Sequence, residues 1–460
     1  LLFYIYMLNH NSEETESIIF KFEHMLKTNL IYFFDAQEFE DIIIHYLGDG
    51  DHQLAKKALK MGLGQHPSCY ELILLQSEIF ILDEKYEMAL DLLEYLEKIN
   101  PFDEEISLQK ANIASKKGDH KTSIIHLNEA LKISEDPAEI WNLLGMEYLL
   151  AEQYKEASFF FKNCLEENPE DYPSLYNLLY CYEQLEEIEP AITSLNRILE
   201  HNPYCEVAWH QLGKILIASG KIKEALSAFD FAIISDDTFT GAYIEKGRLL
   251  ESIGKTNEAI ENYEVAINIT EPTSFIYKCI GRCYESLGNY NLAKKFYIKS
   301  TKLEPSNEKS WESLILFFLS QKNYNSAQYY LNRALEINSD SVNLWKKSLE
   351  LYTLWSKKEK AIDSCKKLIE LGNYECNLLI KLIDLFLDKK QWEDAHKAAS
   401  DAFDSFPKNK KIALRAAGCC FHLGRIEEGI CVLNSDSLNP SEKAVFKKLF
   451  PSFNKLLSNR

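Results

Sequence analysis

Apolar residues recur along the chain with two nested periods. The short one is helical. Trp141, Leu144 and Tyr148 stand at i, i+3 and i+7, one face of an α-helix. The long one is 34 residues. Trp141-Asn142-Leu143-Leu144-Gly145, Tyr148, Tyr154, Ala157, Phe161 and Pro169 are followed one period on by Leu175, Leu178, Tyr182, Ala191, Leu195 and Pro203. A further period brings Trp209, Leu212, Gly213, Leu216, Ala225, Phe229 and Ala232. The phase holds for twelve periods, starting at 36, 70, 104, 138, 172, 206, 240, 274, 308, 342, 376 and 410.

One column is diagnostic. The twentieth position reads Ala55, Ala89, Ser123, Ala157, Ala191, Ala225, Ala259, Ala293, Ala327, Ala361, Ala395 and Gly429. A small residue at every period implies two helices whose backbones cross closely there. Gly50, Gly118, Gly220, Gly254, Gly288 and Gly424 share the column where a first helix, A, would end in a left-handed residue. Pro67, Pro101, Pro169, Pro203, Pro305 and Pro407 share another, just past a second helix, B, which they stop. Helix A is expected over about the first 14 residues of each period, with B starting near the sixteenth. The eighth column is small at Ser77, Ala111, Gly145, Gly213, Gly247 and Gly281 but bulky at Leu179, Ile315, Leu349 and Ile383. The A and B helices should therefore stand further apart across 308–409 than across 206–307.

The pattern resembles the tetratricopeptide repeat (TPR), with its W-x2-L-G-x2-Y…A-x3-F…A…P signature. The likeness is strong over 36–409, eleven repeats, and weaker over 410–443, a degenerate twelfth. It implies an all-α fold, an α-α superhelix whose helix pairs each need neighbours to bury their apolar faces. Residues 1–35 are expected to supply an N-terminal capping helix, with Ile18, Ile19, Phe22, Met25 and Leu26 on one face over 12–30 and Asn11 with Glu14 as a capping pair. Residues 444–460 should cover the other end with Ala444, Val445, Leu449, Phe450, Phe453 and Leu456, interrupted at Pro451.

Charge narrows the function. The net is −19, and it is uneven: residues 1–230 carry 18 Lys+Arg and 41 Asp+Glu, and residues 231–460 carry 33 and 29. Such a chain repels phosphate backbones, so no nucleic-acid partner is expected. No apolar run reaches the length of a membrane span, so no membrane partner is expected. The 11 Cys lack disulfide spacing and suit a reducing compartment, and the expected location is cytoplasmic. The likeness to long bacterial TPR-only proteins points the same way. No phosphate loop, HExxH, GxSxG or CxxC is present. No catalytic, cofactor or metal residue is therefore assigned. Cys279 with Cys283, and Cys419, Cys420, His422 and Cys431, read as packing residues.

The resemblance implies a protein-interaction scaffold that binds a partner segment in the concave face lined by the A helices. The alternative is a regulatory TPR subunit or fragment of an enzyme whose catalytic part lies outside this chain. By position, the groove would present Asn142, Tyr176, Asn177, Tyr180, His210, Lys214, Arg248, Lys278 and Arg282. Lys214, Arg248 and Arg282 occupy the ninth position of consecutive repeats, which favours an extended acidic partner segment. The carboxylate clamp of chaperone-binding TPR proteins is not expected, because no three consecutive repeats carry its Lys/Asn/Asn/Lys/Arg set.

Overall fold

The computed structural model describes residues 12–28, 32–433 and 440–453. Asn11 and Leu456 lie outside the described residues, as do 1–10 and 454–460. Among the described residues every regular element is helical. The A helices begin at Ala36, Tyr70, Glu104, Ala138, Tyr172, Glu206, Thr240, Ser274, Glu308, Val342, Cys376 and Lys410, one every 34 residues. Each A helix has 13 residues.

The turn between A and B explains why B begins at the seventeenth position rather than the sixteenth. Every fifteenth residue has positive φ: 74–81° at the six glycines of that column, 54–60° at Glu84, Glu152, Glu186, Lys322, Ser356 and Lys390. The next residue closes the turn by donating its N–H back across it, as Asp51 does to Tyr46 O at 2.9 Å and Asn323 to Phe318 O at 2.9 Å. That sixteenth residue is then the B helix N-cap. Asp51, Asp119, Asn289 and Asn323 each accept a backbone N–H with their side chain.

The helices of a pair meet at two layers. The twentieth-column alanines are all buried. One turn on, the eighth and twenty-fourth positions face each other, and in several pairs a small residue in one helix meets a large one in the other. Glycine in A meets an aromatic ring in B at Gly145–Phe161, Gly247–Tyr263 and Gly281–Tyr297, where a Cβ on the glycine would fall 2.7–2.9 Å from the ring. Ala111 is matched by Leu127 and Ile315 by Leu331, and the order reverses at Ile383 with Ala399, all buried. Within residues 226–453 the backbones of the pairs 240–269 and 274–303, built on glycine, lie near each other over more of their length than those of 308–337, 342–370 and 376–405, the direction in which the eighth column points.

The chain divides into two compact units, residues 1–225 and 226–460. In the first, helix Ser12–Thr28 buries Phe22 and Met25 against Phe34, Phe39, Ile42 and Tyr46. Asp35 opens the first A helix with a capping box, accepting from Glu38 N at 2.8 Å while Glu38 accepts from Asp35 N at 3.0 Å. In the second, the last B helix is short, Ile426–Leu433. Helix Pro440–Leu449 then lays Phe446 and Phe450 over Leu414, Ala417 and Phe421. It stops before Pro451, and a single 3-10 turn follows at Pro451–Phe453. Val445 stays exposed, and the buried Phe446 takes the covering role expected of it.

Candidate functional site

In the first unit the A helices of the first three repeats line a cavity of about 470 Å³. Glu40 and Ile44 come from the first, Tyr70, Glu71, Leu74, Leu75 and Glu78 from the second, and Glu105 and Gln109 from the third, with Asn100 and Asp103 from the turn before it. Glu78 sits at the ninth position of its repeat and Glu105 at the second, so carboxylates from successive helices converge. Gln109 holds them in register: its Nε2 donates to Glu105 Oε1 at 3.1 Å, and its Oε1 accepts from the buried Ser77 hydroxyl. Tyr70 donates its hydroxyl to Asp103, whose other oxygen accepts from Glu105 N at 2.9 Å and caps the helix.

Burial dominates the electrostatics of this face. Burial, with Glu78, Asp103 and Glu139 nearby, pushes the Glu105 carboxyl up to about 7 against the opposing hydrogen bond from Gln109. Burial also raises Glu78. It raises Glu139, at the second position of the next repeat, where Glu104 and Asp136 add to the effect. Among the described residues no lysine or arginine forms an ion pair with any of the three.

The sequence-derived groove residues divide between the units. Asn142, Tyr176, Asn177, Tyr180, His210 and Lys214 belong to the first, Arg248, Lys278 and Arg282 to the second. In the first, Asn142 ties two repeats together by donating to Ser174 Oγ at 3.1 Å. Asn177 reaches Met146 Sδ at 3.4 Å. Tyr176 and Tyr180 share one helix and are nearly half exposed, Tyr180 standing edge-on to Tyr154 at 6.2 Å. His210 is partly buried on helix Glu206–Ala218, and Lys214 Nζ donates to Gln211 Oε1 at 3.3 Å.

In the second unit both arginines already hold carboxylates of their own chain. Arg248 grips Glu245 through Nη1 at 2.8 and 3.0 Å. Arg282 binds Glu251 of the preceding repeat through two N–H groups, one of them Nη2 at 2.7 Å. That hydrogen bonding holds the guanidinium pKa above its usual value. Lys278 Nζ lies 5.2 Å from the Phe275 ring centre. The basic lane is thus largely neutralised in place, while the acidic face of the first unit is not. Sequence reasoning missed that acidic face because it searched the fifth, sixth and ninth columns for basic, amide and aromatic groups. Glu105 and Glu139 both stand at the second position, another column of the same groove map.

Most of the cysteines behave as packing groups, but Cys431, read as one from the sequence, is exposed. Cys279 and Cys283 are fully buried, and burial pushes the Cys283 thiol up to about 12. Cys419 is also buried, its thiol raised to about 12. His422 turns away from the cysteines and stacks on Trp392, ring centres 3.7 Å apart. Cys420 instead meets His396 and Glu428.

Comparison with known proteins agrees with the repeat phase. Three family models, each described as tetratricopeptide repeat, match: one at residues 148–215, one at 105–137, 240–272 and 280–307, and one at 380–434. No curated protein matches significantly. Among solved structures, similar ones include a tetratricopeptide repeat protein from Parabacteroides merdae, with 19% identity over 62% of this chain and 98% of that one and a TM-score of 0.37. The C-terminal part of a TPR repeat-containing protein from Cytophaga hutchinsonii aligns at 18% identity, 49% and 93% coverage, TM-score 0.39. The Cut9-Hcn1 hetero-tetramer of APC/C aligns at 16% identity, 89% and 93% coverage, TM-score 0.35. Among the described residues no helix is long and apolar enough to cross a membrane. The family matches, set on a 34-residue succession of helix pairs, show a chain built of tetratricopeptide repeats, whose proteins are in general non-catalytic interaction scaffolds.

Proposed function

We propose that the chain is a scaffold that holds extended segments of partner proteins against its A helices, and that the first unit takes a basic segment. One observation carries this reading: Glu78 and Glu105 line an A-helix cavity with Glu139 one repeat further on, all three are half-buried with raised pKa values, and among the described residues no lysine or arginine pairs with them. A lysine or arginine entering there finds carboxylates whose desolvation cost is already met by the fold, so pairing is worth more than at an open surface. Leu74, Leu75 and Ile44 supply apolar contact for the segment between its charges. Fluorescence anisotropy with a labelled Lys/Arg-rich extended peptide tests it. Wild type should bind, and Glu78→Gln/Glu105→Gln/Glu139→Gln should bind at least tenfold more weakly, with affinity falling as salt rises. Equal binding by the two proteins rejects the site.

An acidic segment is a second reading, for the second unit. It draws on the half exposure of both Arg248 and Arg282. An incoming carboxylate would have to displace Glu245 and Glu251, so weaker binding is expected here. An acidic labelled peptide that binds wild type and Arg248→Glu/Arg282→Glu equally refutes it.

A further inference from the structure

Three helices near the end of the second unit bring together one imidazole, one thiol and one carboxylate. His396 lies on helix Trp392–Ser405, Cys420 on Lys410–His422 and Glu428 on Ile426–Leu433. One ligand atom from each lies within 4.8 Å of both others. His396 Nε2 and Glu428 Oε1 are 3.7 Å apart. Tetrahedral Zn²⁺, with bonds of about 2.0–2.3 Å, holds its ligands roughly 3.3–3.6 Å from one another. The present spacing needs a contraction of at most about 1.5 Å, to which the half-exposed Glu428 can contribute by a rotamer change.

The geometry points to a divalent transition-metal site, suited to Zn²⁺, formed by His396, Cys420 and Glu428. Nitrogen, sulfur and oxygen ligands together match this borderline-soft ion and disfavour Mg²⁺ or Ca²⁺. Cys420 is buried, His396 is mostly covered, and Glu428 opens to solvent, so the fourth position would face water. Arg425 Nη1 stands 3.7 Å from Glu428 Oε2, which leaves Oε1 directed at His396. On binding, the ion replaces the Cys420 thiol proton, which leaves to bulk water. The ion would tie the last B helix of a regular repeat to both helices of the degenerate one. An ordinary His–Glu ion pair over a packed cysteine explains the same coordinates without metal, and the experiment separates the two.

Co²⁺ alone, titrated into the full chain with a non-thiol reductant, is the probe. One equivalent should raise a thiolate-to-cobalt charge-transfer band together with the visible bands of four-coordinate Co²⁺, and Zn²⁺ should bleach both. Cys420→Ser should remove the charge-transfer band. His396→Ala and Glu428→Gln, both at solvent-reachable positions, should each weaken Zn²⁺ binding tenfold or more, and should lose the Zn²⁺-dependent rise in thermal midpoint. The two polar variants keep the test decisive even where Cys420→Ser folds poorly. Absence of the band, its persistence in Cys420→Ser, or unchanged affinity in both His396→Ala and Glu428→Gln overturns the site.

Discussion

The volume exchange between the eighth and twenty-fourth positions makes a quantitative test possible at Gly145 and Phe161. A methyl group added at Gly145 would sit 2.7 Å from Phe161 Cε1 and 2.9 Å from Cζ. Phe161 is fully buried, so the ring has nowhere to go without moving helix Tyr154–Glu167. Overpacking of this kind costs about 1–3 kcal/mol. Replacing a mid-helix glycine by alanine returns about 1 kcal/mol of helix propensity. Gly145→Ala should therefore destabilise by roughly 0–2 kcal/mol. Phe161→Leu removes ring atoms and should cost about 1–2 kcal/mol alone. Together the two changes recreate the Ala111–Leu127 pair of the preceding repeat, which is buried and well packed. In the Phe161→Leu background the methyl group is accommodated, so Gly145→Ala should now stabilise by about 1 kcal/mol. The coupling is then on the order of 1–3 kcal/mol. A repeat array does not unfold as one two-state unit, so the assay is native-state amide exchange of helices Ala138–Leu150 and Tyr154–Glu167, which reports the local free energy. The same effect of Gly145→Ala in both backgrounds would refute the account.

Four further outcomes follow from the same coordinates. Lys322 holds φ of 54° at the fifteenth position, a conformation that penalises a Cβ. Lys322→Gly should raise stability by about 0.5–1 kcal/mol, read as a higher thermal midpoint. Arg415 is buried and forks onto Asp384 of the preceding repeat at 2.7 and 2.8 Å. Arg415→Ala should cost about 3 kcal/mol of local stability, read by amide exchange of helix Lys410–His422, because Asp384 loses its partner. Arg282→Glu breaks a two-hydrogen-bond link to Glu251 of the preceding repeat and should lower the thermal midpoint clearly, whereas Arg248→Glu breaks only an i−3 pair within its own helix and should lower it less. Glu105 ionises near 4.5 when unfolded and near 7 when folded, so the folded state holds the extra proton between those values and stability falls as pH climbs through that window. Amide exchange of helix Glu104–Lys116 should be slower, after correction for intrinsic rates, at pH 5.5 than at pH 7.5, and Glu105→Gln should reduce that difference.

The repeat phase was legible in the sequence because its physical cause sits in single columns. A twentieth residue that must be small, and a fifteenth that must turn left-handed, each leave a mark at every period. The left-handed turn is in fact more general than its glycines: Glu84, Glu152 and Ser356 adopt it without the sequence signal, because the closing hydrogen bond to the preceding A helix is made regardless. The spacing of the helix pairs was readable from the eighth column. Its compensation by Phe161, Tyr263 or Ala399 was not, since that requires knowing which B residue faces it. The candidate sites were harder for a related reason. Arg282 and Glu251, like Arg415 and Asp384, are 31 residues apart, three short of the repeat, because they join neighbouring A helices at different heights. A column-by-column reading sees a free arginine where the fold has made an ion pair. His396, Cys420 and Glu428 belong to three different columns and three helices, so no spacing rule announces them.

The two units thus use the same A-helix face differently. In the second, Arg282–Glu251 and Arg415–Asp384 act as struts between neighbouring repeats, and their charges are consumed by the fold. In the first, the corresponding work is done by neutral groups: Gln109 with Ser77, and Asn142 with Ser174. Among the described residues no lysine or arginine pairs with the carboxylates of Glu78, Glu105 and Glu139, and burial raises all three pKa values. A basic segment would lower them by favouring the ionised form. Binding and proton release are then linked, and the sign is opposite to that for stability: affinity for a Lys/Arg-rich peptide should rise between pH 5.5 and 7.5, over the range in which the unliganded helix pair loosens. The Glu105→Gln protein should show a flatter affinity profile. A peptide that binds wild type with the same affinity at both pH values is being held by something other than these carboxylates, and the basic-segment reading of the first unit would have to be abandoned.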